Sequence, residues 1–334
     1  MKKAVLMLIL MLSAGFAVGV WHVPMANSDA VTILIEKGDT LTNKARQWQR
    51  DGWLPSANLL KLQAKLLQRE QVLRVGEYQL PVGLTGPQLL SFLATAKPVS
   101  YQLRFIEGTR LQDAIRVLQQ APHLEHDVEP LNSDTIAALI DIDGHPEGWL
   151  YPDTYIYHRG EKISTLIRQA HKRMQTNLQQ AWQQRRAGLP YSSPYEALVM
   201  ASIVEKETGV PYERAEIAGV FVRRLQKNMR LETDPTVIYG LGDRYQGNLK
   251  KRHLRDRSNR HNTYRHKGLP PTPIAFAGRA ALDAALNPAD GDTLYFVAKG
   301  DGSHYFSRTL EEHNKAVRKY QIYKRAKDYR SAPQ

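Results

Sequence analysis

The chain has 334 residues and a mass of 38.0 kDa, room for two domains of ordinary size, and 42% hydrophobic residues suffice to bury a core in each. It contains no cysteine, which excludes disulfide scaffolds, cysteine-ligated metal and iron-sulfur sites, and thiol nucleophiles, so any nucleophile is an oxygen or a nitrogen. The 46 Lys and Arg against 33 Asp and Glu leave a net charge of +13 and a pI near 9.7, which points to an anionic partner: nucleic acid, a phospholipid surface or an acidic wall polymer.

Lys2 and Lys3 precede an uncharged, mostly apolar run from Ala4 to Trp21, after which His22, Pro24 and Asn27 restore polar composition. The run is close to the minimum that spans ~30 Å of hydrocarbon. The two lysines before it predict a cytoplasmic N-terminus and an exported remainder. Residues 1–21 thus read as a transmembrane anchor. The alternative is a cleaved signal peptide, with Gly15 and Ala17 as the small residues of the cleavage site. Either way the bulk of the chain is exported, which argues against a nucleic-acid partner.

A linker over 22–30 leads to a small α+β unit over 31–98. Val31–Ile35 alternates as a strand, Gly38-Asp39 makes a turn, and Asn58–Glu70 carries Leu59, Leu60, Leu62, Leu66 and Leu67 at helical spacing. Val72–Leu80 reads as a second strand, and Thr85 begins a short helix through Leu93. The turn Gly38-Asp39-Thr40-Leu41 resembles the opening of LysM modules, small βααβ folds that bind N-acetylglucosamine chains.

A larger unit over 99–325 begins with a strand at Tyr101–Ile106. Thr109 and Gln112 predict a capping box for a helix that ends before Pro122. Periodicity weakens between Pro122 and Pro152. Helices are predicted at Ile163–Arg185, Pro194–Thr208 and Tyr212–Asn228. A hairpin of Leu294–Ala298 and His304–Ser307 surrounds Gly300-Asp301-Gly302, and a charged helix starts at Leu310 ahead of a tail at 326–334. The fold class is mixed α+β, without internal repeats.

Ser193–Gly209 carries the clearest chemistry. Ser193 caps a helix, Pro194 takes its first position, Glu196 completes a capping box, and Gly209 and Pro211 end it. Glu207 shares a stripe with Met200, Ile203 and Val204, whereas Glu205 lies beside Leu198, Ala201 and Ser202. If the Met200 stripe packs inward, Glu207 emerges at the end of a buried face. Loss of water there raises a carboxyl pKa and holds a proton near neutrality, as a general acid requires.

A solvated last turn is the plainer reading of a Glu-Lys-Glu run, and the neighbouring loops weigh against it. Arg230–Gly240 gathers hydroxyls, a carboxylate and Tyr239 in a segment that Pro235 is expected to keep from forming a regular helix. Asn262-Thr263-Tyr264 and Gly268–Pro271 make a second polar-aromatic loop. Gly148–Tyr155 is aromatic enough to stack on sugar rings, and equally suited to core packing. Lys250–His261 holds six Lys or Arg and two His around one Asp, which suits either a grip on wall carboxylates or plain solvation.

Together the runs ASIVEKET, LETDPTVIYG, NTY, GLPP, GWLYPDTY and the terminal EHN resemble the endolytic murein transglycosylases, also called the YceG-like family, from the anchor to about Tyr320. The resemblance implies a bitopic inner-membrane protein with a LysM-like subdomain before a periplasmic catalytic domain. It also implies cleavage of peptidoglycan strands between N-acetylmuramic acid (MurNAc) and N-acetylglucosamine (GlcNAc), which leaves a 1,6-anhydroMurNAc end and terminates elongation. The family's catalytic glutamate maps onto Glu207, and Glu207-Thr208 looks like the Glu-Ser pair of other lytic transglycosylases. The candidate substrate contacts are Glu205, Thr233, Asp234, Thr236, Tyr239, Asn262, Tyr264 and Tyr151. The expected partners are glycan strands, the inner membrane through residues 4–21, and penicillin-binding synthases; no cofactor or metal is expected. The family usually places Ser-Pro-Tyr before Asn-Thr-Tyr and Gly after the Pro pair, where this chain has Asn259-Arg260-His261 and Thr272. Three other readings stand beside this one: a lysozyme-type hydrolase using Asp234 or Glu232, a non-catalytic wall-binding scaffold, and a nucleic-acid binder resting on Lys250–His261 alone.

Overall fold

The computed structural model describes residues 19–323. The apolar run 4–21 lies almost wholly outside these residues, as does the tail 326–334. Among the described residues no helix is long and apolar enough to cross a membrane. The chain forms two compact units, one of residues up to Tyr101 with 122–124 and 156–161, the other of 102–121, 125–155 and 162 onward.

In the first unit β1 (Val31–Ile35) pairs antiparallel with β2 (Gly76–Leu80), Val31 opposite Leu80 and Ile35 opposite Gly76. Between them run α1 (Leu41–Arg50) and α2 (Ala57–Leu66), and α3 (Gly86–Thr95) follows. The polar residues that precede each helix explain where it starts. Thr40 Oγ1 accepts from the Asn43 amide at 3.2 Å, Ser56 Oγ from Leu59 at 3.3 Å, and Gln88 reaches back to the Thr85 amide at 2.9 Å. Ile33, Ile35, Trp48, Leu60, Tyr78, Leu80, Leu89 and Leu90 fill the core. β2 starts four residues later than the apolar pattern predicts because Gly76 already opposes the last residue of β1.

The second unit contains α4 (Leu111–Gln120), α5 (Ser133–Leu139), α6 (Ile163–Gln183), α7 (Pro194–Glu207), α8 (Arg214–Gln226), α9 (Asp234–Leu241), α10 (Lys251–Arg255), α11 (Arg279–Leu286) and α12 (Leu310–Val317). β3 (Tyr101–Arg104) pairs with β4 (Thr154–Tyr157), and β5 (Tyr295–Ala298) forms an antiparallel hairpin with β6 (His304–Ser307). The mixed α+β class thus takes the form of many helices and three two-stranded sheets among the described residues.

α7 is the centre of this unit. It packs against α6, α8, α9 and, most extensively, α11. Every residue from Ala197 to Val204 is buried, so there is no polar face opposite the Met200 stripe. Burying Leu198, Val199, Met200, Ile203 and Val204 contributes roughly 1.5–3 kcal/mol for each large side chain. That is enough to hold the helix rigidly even though it ends in a costly buried carboxyl. Ser193 caps α7 as its sequence implies, but Glu196 accepts from the Ser192 amide at 2.6 Å instead of closing a box on Ser193.

Two further local expectations are overturned. Pro235 does not prevent a helix: it occupies the first turn of α9, where a missing N–H leaves no carbonyl unpaired. The Thr109–Gln112 box does not form. α4 begins at Leu111, and its free amide donates instead to both oxygens of Glu147 at 3.0 and 3.1 Å. Glu147 is buried, 2% exposed, and caps this helix from 36 positions away in sequence. Glu147→Ala is expected to destabilise the fold by about 1–3 kcal/mol through two orphaned donors, the Leu111 amide and the Tyr239 hydroxyl. Urea unfolding measures this, and a loss below ~0.5 kcal/mol would contradict the capping role.

Candidate active site

Glu207 is the last residue of α7 and only partly exposed. The Thr233 hydroxyl donates a short hydrogen bond to its Oε1. Burial pushes the Glu207 carboxyl up to about 7, the nearby Asp234 carboxylate pushes the same way, and the Thr233 hydroxyl only partly opposes them. The helix C-terminus, with its partial negative charge, disfavours a carboxylate there as well. No cation is among the causes that set this pKa.

The partner side of the site is held by a knot of threonines. The Thr233 amide donates to Thr263 Oγ1 at 3.1 Å, Thr236 Oγ1 donates to the Thr233 carbonyl at 2.8 Å, and the Thr236 and Thr263 hydroxyls meet at 2.9 Å. These bonds fix the start of α9, so that Thr233 meets Glu207 and Asp234 lies exposed at the first helical position. Tyr264 OH donates to Asp234 Oδ1 at 2.8 Å. Burial, with Asp234 and Glu207 nearby, pushes the Tyr264 hydroxyl pKa up, so it remains a neutral donor.

The site therefore unites Glu207, Thr233, Asp234 and Tyr264. The other predicted contacts serve elsewhere. Glu205 turns to the start of α11, accepting from the Gly278 amide at 3.0 Å beside Arg214 at 3.6 Å. Its carboxyl is also raised, by burial, but the Gly278 amide and Arg214 oppose the shift. Thr236 and Asn262 are wholly buried and make no surface that a sugar could touch. Thr236 belongs to the knot. Asn262 Nδ2 donates to the carbonyls of His253, Leu254 and Asp256 at 3.1, 3.3 and 2.7 Å. Tyr239 points its hydroxyl at Glu147 Oε2, 3.2 Å away. Tyr151 packs partly buried against the core and accepts from Tyr155 OH at its carbonyl; Trp149 stacks on Tyr195, and no described bond brings this aromatic run to Glu207.

Sequence reasoning missed Thr263, Glu147 and the pairing of His261 with Thr272. Thr263 sits inside the quoted Asn-Thr-Tyr run, and its hydroxyl role was legible only from the knot. Burial pushes the Glu147 carboxyl up to about 7, against the Leu111 amide and the Tyr239 hydroxyl that bind its charged form. His261 and Thr272, both departures from the family pattern, hydrogen-bond to each other at 2.9 Å, and burial pushes the imidazole down to about 4. Among the described residues no group of three or more His, Asp or Glu converges as metal ligands would.

The raised carboxyl of Glu207 makes stability depend on pH. Above the ordinary value of 4.5 the unfolded chain releases a proton that the native state keeps, so stability falls as pH climbs from there to about 7. Glu207→Gln has no proton to lose and still accepts from Thr233. It is expected to be more stable than wild type by about 1–3 kcal/mol at pH 8, with the difference closing toward pH 4. Urea unfolding at the two pH values tests this, and parallel pH profiles would contradict it.

Comparison with known proteins agrees with the resemblance read from the motifs. Residues 33–319 match the family described as YceG-like. An endolytic murein transglycosylase of Bacillus subtilis (strain 168) is 39% identical over 182 residues, which are 53% of this chain and 48% of that protein. An endolytic murein transglycosylase of Streptococcus pneumoniae serotype 2 (strain D39) is 31% identical over 183 residues, 51% of this chain and 31% of the relative. The chain thus spans about half or less of the curated relatives it matches. The crystal structure of the yceG-like protein lmo1499 from Listeria monocytogenes superposes with a TM-score of 0.55 at 29% identity, covering 86% of this chain and 99% of that one. With the match running through both compact units and across the Glu207 site, the chain belongs to the YceG-like family.

Proposed function

We propose that the chain is an endolytic lytic transglycosylase that cleaves the MurNAc–GlcNAc bond within peptidoglycan strands and leaves a 1,6-anhydroMurNAc end, with Glu207 as acid and then base. The observation that carries this reading is a single carboxyl, held near pKa 7, beside one fixed hydroxyl and one carboxylate. The names of the bacillar and pneumococcal relatives support the substrate class.

The geometry suits the chemistry as follows. Thr233 occupies Oε1 of Glu207, which leaves Oε2 to carry the proton. That proton passes to the glycosidic oxygen as the C1–O bond breaks, and the GlcNAc 4-hydroxyl departs. The exposed Asp234 carboxylate offsets the positive charge that builds on the muramyl ring. Glu207, now ionised, takes the proton from the muramyl C6 hydroxyl, and O6 bonds to C1. No water is consumed and Glu207 ends as it began. One acid-base carboxyl suffices because the nucleophile belongs to the substrate, unlike the paired carboxyls of ordinary glycosidases.

The wider assignment follows the same reading. The first unit, with its β1-α1-α2-β2 order and Gly38-Asp39-Thr40-Leu41 turn, is a LysM-like glycan-binding module. Residues 4–21 anchor the protein in the inner membrane, and the described units act in the periplasm, where penicillin-binding synthases supply the nascent strands whose growth the cut ends.

Mass spectrometry of digested peptidoglycan tests the activity. The wild-type chain is expected to release anhydro-ended fragments, whereas lysozyme-type hydrolysis gives products heavier by one water. Glu207→Gln is expected to release none while remaining folded, and Glu205→Gln, which keeps its acceptor for Gly278, to stay within about tenfold of wild type. The reverse ranking transfers the role to Glu205. Because the free enzyme must hold the proton, kcat/KM is expected to fall as pH rises through about 7. A profile rising through that range would contradict the acid role.

A further inference from the structure

Residues 250–267 hold eight Lys or Arg and one Asp, a net +7 out of the chain's +13. Lys250, Lys251, Arg252, Arg255, Arg257 and Arg260 are exposed. Among the described residues none of the eight forms an ion pair with a carboxylate, although thirteen such pairs occur elsewhere. The single acid, Asp256, is engaged by the Ser258 amide at 2.8 Å and hydroxyl at 2.6 Å.

A merely solvated charge run has no need of a fixed shape, yet this one is pinned. Buried Asn259 donates to the Val237 carbonyl on α9 at 3.1 Å, and its carboxamide lies where a Cβ on Gly240 would collide at 1.9 Å, so glycine lets the segment sit flush. Buried Asn262 ties down three carbonyls at the end of α10, and His266 Nε2 bonds the Arg257 carbonyl at 3.1 Å. Six exposed like charges are thereby held on one short segment, and their mutual repulsion is relieved when an anion arrives. The same segment carries Tyr264, whose hydroxyl bonds Asp234 beside Glu207, so the basic run is continuous in sequence with a side chain of the site.

We propose that this basic segment is an extended anion subsite that grips the carboxylates of stem peptides on the strand being cut, a role that rests on the peptidoglycan reading above. Continuity with the Glu207 site favours the strand over an anionic lipid surface, which would need no link to the cleft.

The test uses the full chain and a Lys251→Gln/Arg255→Gln/Arg257→Gln variant, none of whose positions belongs to the proposed catalytic set. Two substrates are compared at low salt: strands bearing stem peptides and strands stripped of them by an amidase. The expected result is a KM raised about 3–10-fold for the variant on peptide-bearing strands, with kcat unchanged and no difference on stripped strands. An equal KM for both proteins on both substrates overturns the proposal. So does a variant whose only defect is lost co-sedimentation with phosphatidylglycerol vesicles, which would assign the segment to lipid. If wild type releases no product from either substrate, the catalytic reading has failed separately. Turnover-free binding then still decides the grip, since equal retention of intact and stripped strands by the wild-type chain overturns it.

Discussion

The site depends on an electrostatic constraint: a carboxyl at the end of a helix buried all round over Ala197–Val204, compensated too weakly to ionise readily. α7 is surrounded by four other helices, and its apolar residues fix where its C-terminus lies. Desolvation, the Asp234 charge and the negative helix end all favour the neutral form of Glu207. A single hydroxyl from Thr233 opposes them.

Three carboxyls raised by burial in this unit differ in what binds them. Glu147 and Glu205 are each bound by a backbone amide at a helix start, so they cap helices and support the fold even though burial raises both carboxyls, that of Glu147 to about 7 as well. Glu207 meets no backbone amide and no cation, only a side chain held by a threonine knot. Of the three, it is accordingly the raised carboxyl that is not committed to a helix cap. The cost is local: the knot around Thr233, Thr236 and Thr263 must be fully satisfied for the arrangement to persist, and each hydroxyl in it has a partner.

Local signals were well marked in the sequence. Ser193 and Thr85 start their helices, the β1–β2 register follows the alternation of Ile33 and Ile35, and the last turn of α7 pointed to Glu207, whereas the helix read at Asn58–Glu70 runs over Ala57–Leu66. Both faces of α7 are buried over Ala197–Val204 and the Glu205 side chain is nearly covered too, so the Met200 stripe alone does not set Glu207 apart. What separates the two glutamates is tertiary: Gly278 and Arg214 against Thr233 and Asp234. Asn262 and Thr236 read as sugar contacts because polar loop residues suit sugars, but both satisfy buried backbone instead. The Glu147 cap on α4 joins positions 36 residues apart, a relation that no local pattern encodes. Short α5, α10 and α11, of seven, five and eight residues, have too few turns to show a period.

The most direct test of the account is the ionisation of Glu207 itself, read from the side-chain carbonyl resonance of 13C-labelled glutamate, with Glu207→Gln to assign the signal. A titration midpoint near 7 is the predicted result. A midpoint at the ordinary value of 4.5 would mean that the carboxyl is ionised at neutral pH and cannot serve as the acid.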